Sequence, residues 1–200
     1  MPHDYDPQRK RFVKNGETTD PKEVRALIDK LTETVKKDAK RIAKRYETNK
    51  ITLAQFKKEM QDLLRSGHIV AASVGKGGRE RMTQRDWGKV GAKIKWQYGY
   101  LDKFVKKIEQ GRISKILTAN RAQAYASALH ITYYQSNATE NKPDKPLVRR
   151  VLNAKESCDG CSQYAAMGWI PVDEMPELGE LECGDFCKCD LVFRDDDEQS

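Results

Sequence analysis

The first 157 residues contain no cysteine, and no histidine follows His130. The three histidines, His3, His68 and His130, stand singly, with no nucleophile or ligand set beside any of them. A nuclease of the HNH kind on a zinc scaffold needs a histidine general base beside a metal-bound phosphate. No such pairing occurs, nor does any other acid/base constellation, so a non-enzymatic role is expected. No apolar run approaches the roughly 20 residues that cross a bilayer. The opening Met-Pro-His-Asp-Tyr-Asp has no apolar signal core, so secretion is not expected and a reducing cytosol is. The glycine-rich Gly75-Lys76-Gly77-Gly78-Arg79 lacks the Lys-Ser/Thr ending of a phosphate-binding P-loop; it reads as a flexible basic loop able to touch phosphates.

What is present is charge, and it is unevenly placed. Residues 151–200 hold 3 basic and 13 acidic side chains, a net of −10, and the remaining 34 basic and 17 acidic side chains give residues 1–150 a net of +17. A basic helical region of this kind suits nucleic acid or an acidic protein surface, while a solvated helix face accounts for many lysines equally well. The acidic end Asp195-Asp196-Asp197-Glu198 reads as a solubilising tail covering residues 195–200.

Residues 1–19 are polar, with Pro2, Pro7 and Gly16, and read as a flexible arm. Residues 20–136 read as a helical domain of about four helices, elongated because the apolar stripes are long and narrow. Asp20-Pro21-Lys22-Glu23 is a helix start, followed by Val24, Leu27, Ile28, Leu31, Val35, Ala39, Ile42 and Tyr46 at three- and four-residue steps. Thr52 with Gln55 forms a capping box, with Ile51 and Phe56 as the flanking apolar pair, and Met60, Leu63, Leu64, Ile69 and Val70 follow. Thr83 with Asp86 repeats the signal, with Met82 and Trp87 as the pair. Val90, Ile94, Tyr98, Leu101, Val105 and Ile108 form that helix's stripe, Phe104 lies beside it, and Gly111 ends it. Trp96, Tyr98 and Tyr100 stand among lysines. At helical spacing they read as packing residues, with base stacking as the rival role. Ser114 opens a fourth helix to about Ser136. Leu117, Arg121, Tyr125, Leu129 and Tyr133 share one face, Arg121 as a buried ion-pair partner, and alanines permit close approach. Residues 137–146, rich in Asn, Lys and Pro, read as a linker.

All five cysteines fall in residues 147–194, as Cys158-Asp-Gly-Cys161 and Cys183-Gly-Asp-Phe-Cys187-Lys-Cys189. A C-x2-C turn aims both sulfurs at one point, and a second cluster completes a tetrahedron around Zn2+. Cys158, Cys161, Cys187 and Cys189 are the expected ligands, with Cys183 as the alternative. Disulfides and free packed thiols are the rival readings. Leu147 to Leu152 reads as a strand, Tyr164 to Met167 as part of a short helix, Gly168 to Val172 as a strand or turn, and Cys189 to Phe193 as the last strand. The expected fold is therefore mainly α, with a small zinc-stapled α+β module at the C-terminus, where a closed structural zinc substitutes for part of the core.

This module resembles the ending of tailed-phage minor head proteins, the head-morphogenesis family named for the Mu F protein. The residues that carry the resemblance are Val151-Leu152-Asn153, Cys158-Asp-Gly-Cys161, Gly168-Trp-Ile-Pro171 and Cys187-Lys-Cys189-Asp-Leu-Val192. Asp86-Trp87-Gly88, Gln97-Tyr98-Gly99-Tyr100-Leu101, Gly111-Arg112-Ile113-Ser114 and Arg121-Ala122-Gln123-Ala124-Tyr125-Ala126 are similar to the helical part of such proteins. Many relatives carry a His-Pro pair shortly before the C-[RK]-C; this chain has Cys183-Gly-Asp-Phe there. The resemblance implies a minor structural or assembly protein of the virion, assembled in the bacterial cytoplasm, present in few copies at or near the portal vertex. Portal protein or major capsid protein would be its partner, with double-stranded DNA met through residues 1–150 and an oligomer on the particle conceivable. A zinc-containing nucleic-acid-binding module or regulator is the alternative.

Overall fold

The computed structural model describes residues 4–8, 11–15, 17–19, 21–141, 145–184 and 187–194. In chain order these form β1 (Asp4–Asp6), β2 (Arg11–Lys14), β3 (Glu17–Thr18), α1 (Pro21–Glu47), α2 (Leu53–Gly75), α3 (Gln84–Glu109), α4 (Lys115–Ala124) and α5 (Ala128–Asn141). They continue as β4 (Leu147–Val151), α6 (Asp159–Ala166), β5 (Ile170–Pro171) and β6 (Asp190–Arg194). The protein is mainly helical with two small sheets. Among the described residues no helix is long and apolar enough to cross a membrane. The chain divides into two compact units, one of residues 20–71 and 82–129, the other of residues 1–19, 72–81 and 130–200.

The first unit is the helical one. Its helices begin where local hydrogen bonds dictate. Thr52 N–H donates to Gln55 Oε1 at 2.8 Å while Gln55 N–H donates to Thr52 Oγ1 at 3.2 Å. Thr83 N–H donates to Asp86 Oδ2 at 3.0 Å and Asp86 N–H to Thr83 Oγ1 at 3.2 Å. Each box satisfies backbone donors that a helix start leaves over. α3 ends at Gly111, whose φ of 68° lets Arg112 N–H reach back to Lys107 C=O. The expected Asp20 cap lies outside the described residues.

Between those ends the apolar stripes meet in one core. Ala39, Ile42 and Ala43 of α1, Phe56, Met60 and Leu64 of α2, Leu101, Phe104, Val105 and Ile108 of α3, and Ala119 and Ala122 of α4 are all buried there, with Ile51 beside them. α4 lies along α1, and alanines at the contact permit the approach. α2 runs unbroken through Gly67 to Gly75. A Cβ at Gly67 would come within 3.1 Å of Leu129 and 3.5 Å of Val35, so a bare backbone suits the packing.

Four expectations fail in this unit. Val70 is exposed, because the buried side of α2 passes through His68, Ala71, Ala72 and Val74 instead. The helix opened by Ser114 is interrupted by a 3-10 turn at Tyr125–Ser127. The buried face of α4 is Thr118, Ala119 and Ala122; Leu117 is 56% exposed and Arg121 is exposed, its guanidinium 5.5 Å from the Phe104 ring centroid. Small residues win that face because close packing on α1 excludes large ones. Finally, Trp96 and Tyr100 are 45% and 46% exposed and pack edge-to-face on each other, with Lys93 and Lys103 over their rings. Of the three aromatics only Tyr98 packs against the core, its hydroxyl donating to Gln61 C=O at 2.9 Å.

The second unit contains both sheets. The expected flexible arm is, in its described residues, an antiparallel meander, with Asp4 opposite Val13, Tyr5 opposite Phe12, and Lys14 opposite Glu17. Its order comes from distant residues. Tyr5 packs edge-to-face on Phe12, lies under the Arg81 guanidinium and fills the space left by Gly77, where any Cβ would collide with the ring. The Gly75–Arg79 segment is correspondingly no free phosphate grip: Lys76 is buried and pairs with Glu140 at 2.8 Å, and Arg81 pairs with the same carboxylate at 2.6 Å.

The linker expected at 137–146 is helical through Asn141; Lys142, Pro143 and Asp144 lie outside the described residues. Residues 145 and 146 lead into β4, the centre of the sheet β5-β4-β6. Val148 faces Ile170 of β5 and Phe193 of β6, and Arg150 faces Leu191. α5 supplies the sheet with a partner: Tyr134 and Ala138 line one small cavity together with Val148, Leu191 and Phe193. Gln135 Nε2 also donates to Leu178 C=O at 3.3 Å. Tyr134, Gln135 and Ala138, which precede residues 147–194, thus pack against the module.

Candidate metal centre

The two cysteine clusters reach one place by different local devices. Cys158 is the N-cap of α6 and Cys161 sits in its first turn, where Ser162 N–H returns to Cys158 C=O at 3.0 Å. This helical turn places the two thiols of the C-x2-C side by side. Cys183 closes a turn in which Gly184, at φ 50°, donates to Leu181 C=O, and Cys187 N–H donates back to Gly184 C=O at 3.1 Å. Cys189 leads directly into β6. The β4–β6 register sets Asp190 against Val151 and so fixes where the second cluster stands.

The sulfurs converge. Cys161 Sγ lies 3.6 Å from Cys183 Sγ and 4.0 Å from Cys187 Sγ. Cys158, Cys161 and Cys183 form one mutually close triple within 4.8 Å, and Cys161, Cys187 and Cys189 form another. Cys161, only 1% exposed, belongs to both. All five cysteines are free thiols, so the disulfide reading has no support here. A tetrahedral Zn–S4 centre with bonds of about 2.3 Å has S···S edges of about 3.8 Å, which these two separations bracket. These cysteines could hold a metal ion. Cys183 Sγ lies nearer to Cys161 Sγ, at 3.6 Å, than Cys187 Sγ does, at 4.0 Å.

The thiols shift in opposite directions. The Cys187 thiol is pulled down to about 5, first by hydrogen bonding with Cys189, against the opposing effect of burial. Cys189 is pushed up, chiefly by the proton it shares with Cys187, and Cys183 and Cys161 are pushed up chiefly by burial. One proton leaves easily and the others are held, so a divalent ion bound here would have to displace them and its affinity would rise with pH.

Two neighbours were not singled out in the sequence. Glu182 bridges the clusters: hydrogen bonds from its own backbone, the Cys158 thiol and the Gly160 N–H keep its carboxyl below the usual range. The absence of a Cβ at Gly160 leaves room for that carboxylate, which would otherwise lie 2.9 Å away. Arg150 is the second. Only 2% exposed, it donates to Cys161 Sγ at 3.6 Å and to Pro176 C=O at 2.6 Å. Strand alternation in Leu147-Val-Arg-Arg-Val151 places one arginine inward, a signal that could have flagged it.

Comparison with family models, with curated proteins and with solved structures gave no match for this chain.

Proposed function

We propose that the protein is a non-enzymatic structural or assembly component of a tailed-phage head, docking at or near the portal vertex or the inner capsid wall. The observation that carries this reading is the module's order of parts. A central strand, a C-x2-C opening a short helix, an apolar-Pro edge strand and a C-x-C running into a last strand follow the pattern of the resemblance, and their cysteines converge. The metal is zinc in a closed, structural site with four thiolate ligands, drawn from Cys158, Cys161, Cys187 and Cys189, with Cys183 as the alternative fourth. Zinc supplies a crosslink between the two cysteine-bearing segments. The residues of the chain do the rest: Glu182 ties the α6 turn to the second cluster, and the sheet holds the register that aligns them. Portal protein or major capsid protein is the partner, and residues 1–150 carry the positive charge that packaged DNA would meet.

Quantitative mass spectrometry of purified phage particles from the source of this gene tests the reading, with intensities scaled to the major capsid protein. A few to a dozen or so copies per particle is the expected result. Presence in infected cells with absence from particles would overturn the virion assignment.

A second reading, a nucleic-acid-binding module, is favoured by the exposed Trp96 and Tyr100 with Lys93 and Lys103 over their rings. Aromatic faces flanked by cations suit base stacking and phosphate contact. It predicts DNA binding that weakens steeply with salt and that drops in Trp96→Ala; salt-insensitive or absent binding rules it out.

A further inference from the structure

We infer that Arg150 is the counter-charge of the cysteine centre: its guanidinium neutralises thiolate charge and orients Cys161. The inference rests on the metal reading above. A guanidinium stays protonated in any protein, and burying one without an anion is strongly unfavourable. Arg150 is among the most fully buried large side chains, yet among the described residues it forms no ion pair with a carboxylate. Its anchors are a backbone carbonyl at 2.6 Å and the Cys161 sulfur at 3.6 Å, and Nε has no hydrogen-bond partner. A neutral thiol is a poor acceptor and gives this cation no compensation. A thiolate gives both.

The charge balance points the same way. Four thiolates around a divalent cation leave a net of −2, in a place where Cys161, Cys187 and Cys189 are all buried. The Glu182 carboxylate beside Cys158 adds to that excess, and one arginine inside the same module offsets part of it. The sheet explains why position 150 serves. It lies on the central strand, on the buried side with Val148, while Arg149 points outward over the Trp169 ring. The fork of the guanidinium can then hold the Pro176 segment with one nitrogen and the shared cysteine with the other. Arg150 is thus a positioning residue for the ligand common to both cysteine triples.

The test uses the full chain as wild type, Arg150→Met and Arg150→Lys. Zinc affinity is read by competition with a chelating indicator. Stability of residues 145–194 is read by hydrogen–deuterium exchange, with zinc and with EDTA. Wild type should bind one zinc per chain, Arg150→Met should bind about 10- to 100-fold more weakly, and Arg150→Lys should recover part of the loss. In EDTA the methionine variant should be as protected as wild type or more so, since it removes an uncompensated cation. A merely structural arginine would instead lower protection equally with and without zinc. That outcome, or unchanged affinity in Arg150→Met, or lysine no better than methionine, overturns the inference while leaving the metal reading intact. A wild-type chain that takes up no zinc overturns the metal reading and the inference with it.

Discussion

Acidification should weaken the helical unit through one buried side chain, His68. It is fully buried in α2, and burial first, then the nearby Lys93 charge, holds its pKa from the ordinary 6.5 down to about 4. In the unfolded chain the imidazole takes up a proton as pH falls through its ordinary value, whereas in the folded chain it stays neutral until far lower pH. Stability is therefore complete above about pH 6.5 and is lost progressively down to about pH 4. With each pKa unit worth about 1.4 kcal/mol, the loss from this group is about 2 kcal/mol at pH 5 and about 3 kcal/mol at pH 4. Urea unfolding followed by tryptophan fluorescence, at about pH 7.5 and about pH 5, measures it for wild type and for His68→Leu. Cysteine protonation contributes equally to both proteins and cancels in the difference. Wild type should lose about 2 kcal/mol more than the variant over this interval. Equal losses would refute the reasoning, because the imidazole would then have to be protonated within the folded unit.

Other perturbations separate the parts of the second unit. Cys161→Ser should abolish zinc binding, measured by metal analysis, because Cys161 belongs to both sulfur triples; Cys183→Ser should retain one zinc per chain if the other four supply the ligands. Gly77→Ala should detach the N-terminal meander, since φ there is 77° and the new Cβ meets the Tyr5 ring; the cost is about 1–3 kcal/mol, seen as faster hydrogen exchange in residues 4–19. Glu140→Gln leaves the buried Lys76 and the half-buried Arg81 without their shared carboxylate and should cost about 3 kcal/mol in urea unfolding.

The helix starts at Thr52 and Thr83 were readable because the partners that make them, Gln55 and Asp86, lie three residues away. The order of strands, knuckle and short helix in the cysteine module was readable for a similar reason. Each element there is bounded by its own turn residues, and the cysteine spacing fixes its own local geometry. The meander at residues 4–18 was not readable, because nothing in that polar segment reveals that Gly77, Arg81 and Glu140 will receive Tyr5. The face of α4 was misjudged because periodicity offered both Leu117-Arg121-Tyr125 and Thr118-Ala119-Ala122, and only packing on α1 chose the smaller set.

The sequence by itself determined where helices begin, how charge is divided along the chain, and which five side chains can bind a soft cation. Those properties depend on residue type and on neighbours within a few positions. Tertiary structure alone decided that Cys161 is the sulfur shared by both triples, that Arg150 turns inward beside it, and that α5 packs against the module. Each of these is a contact between residues far apart in the chain. It depends on the β4–β6 register and on close packing, which no local pattern encodes.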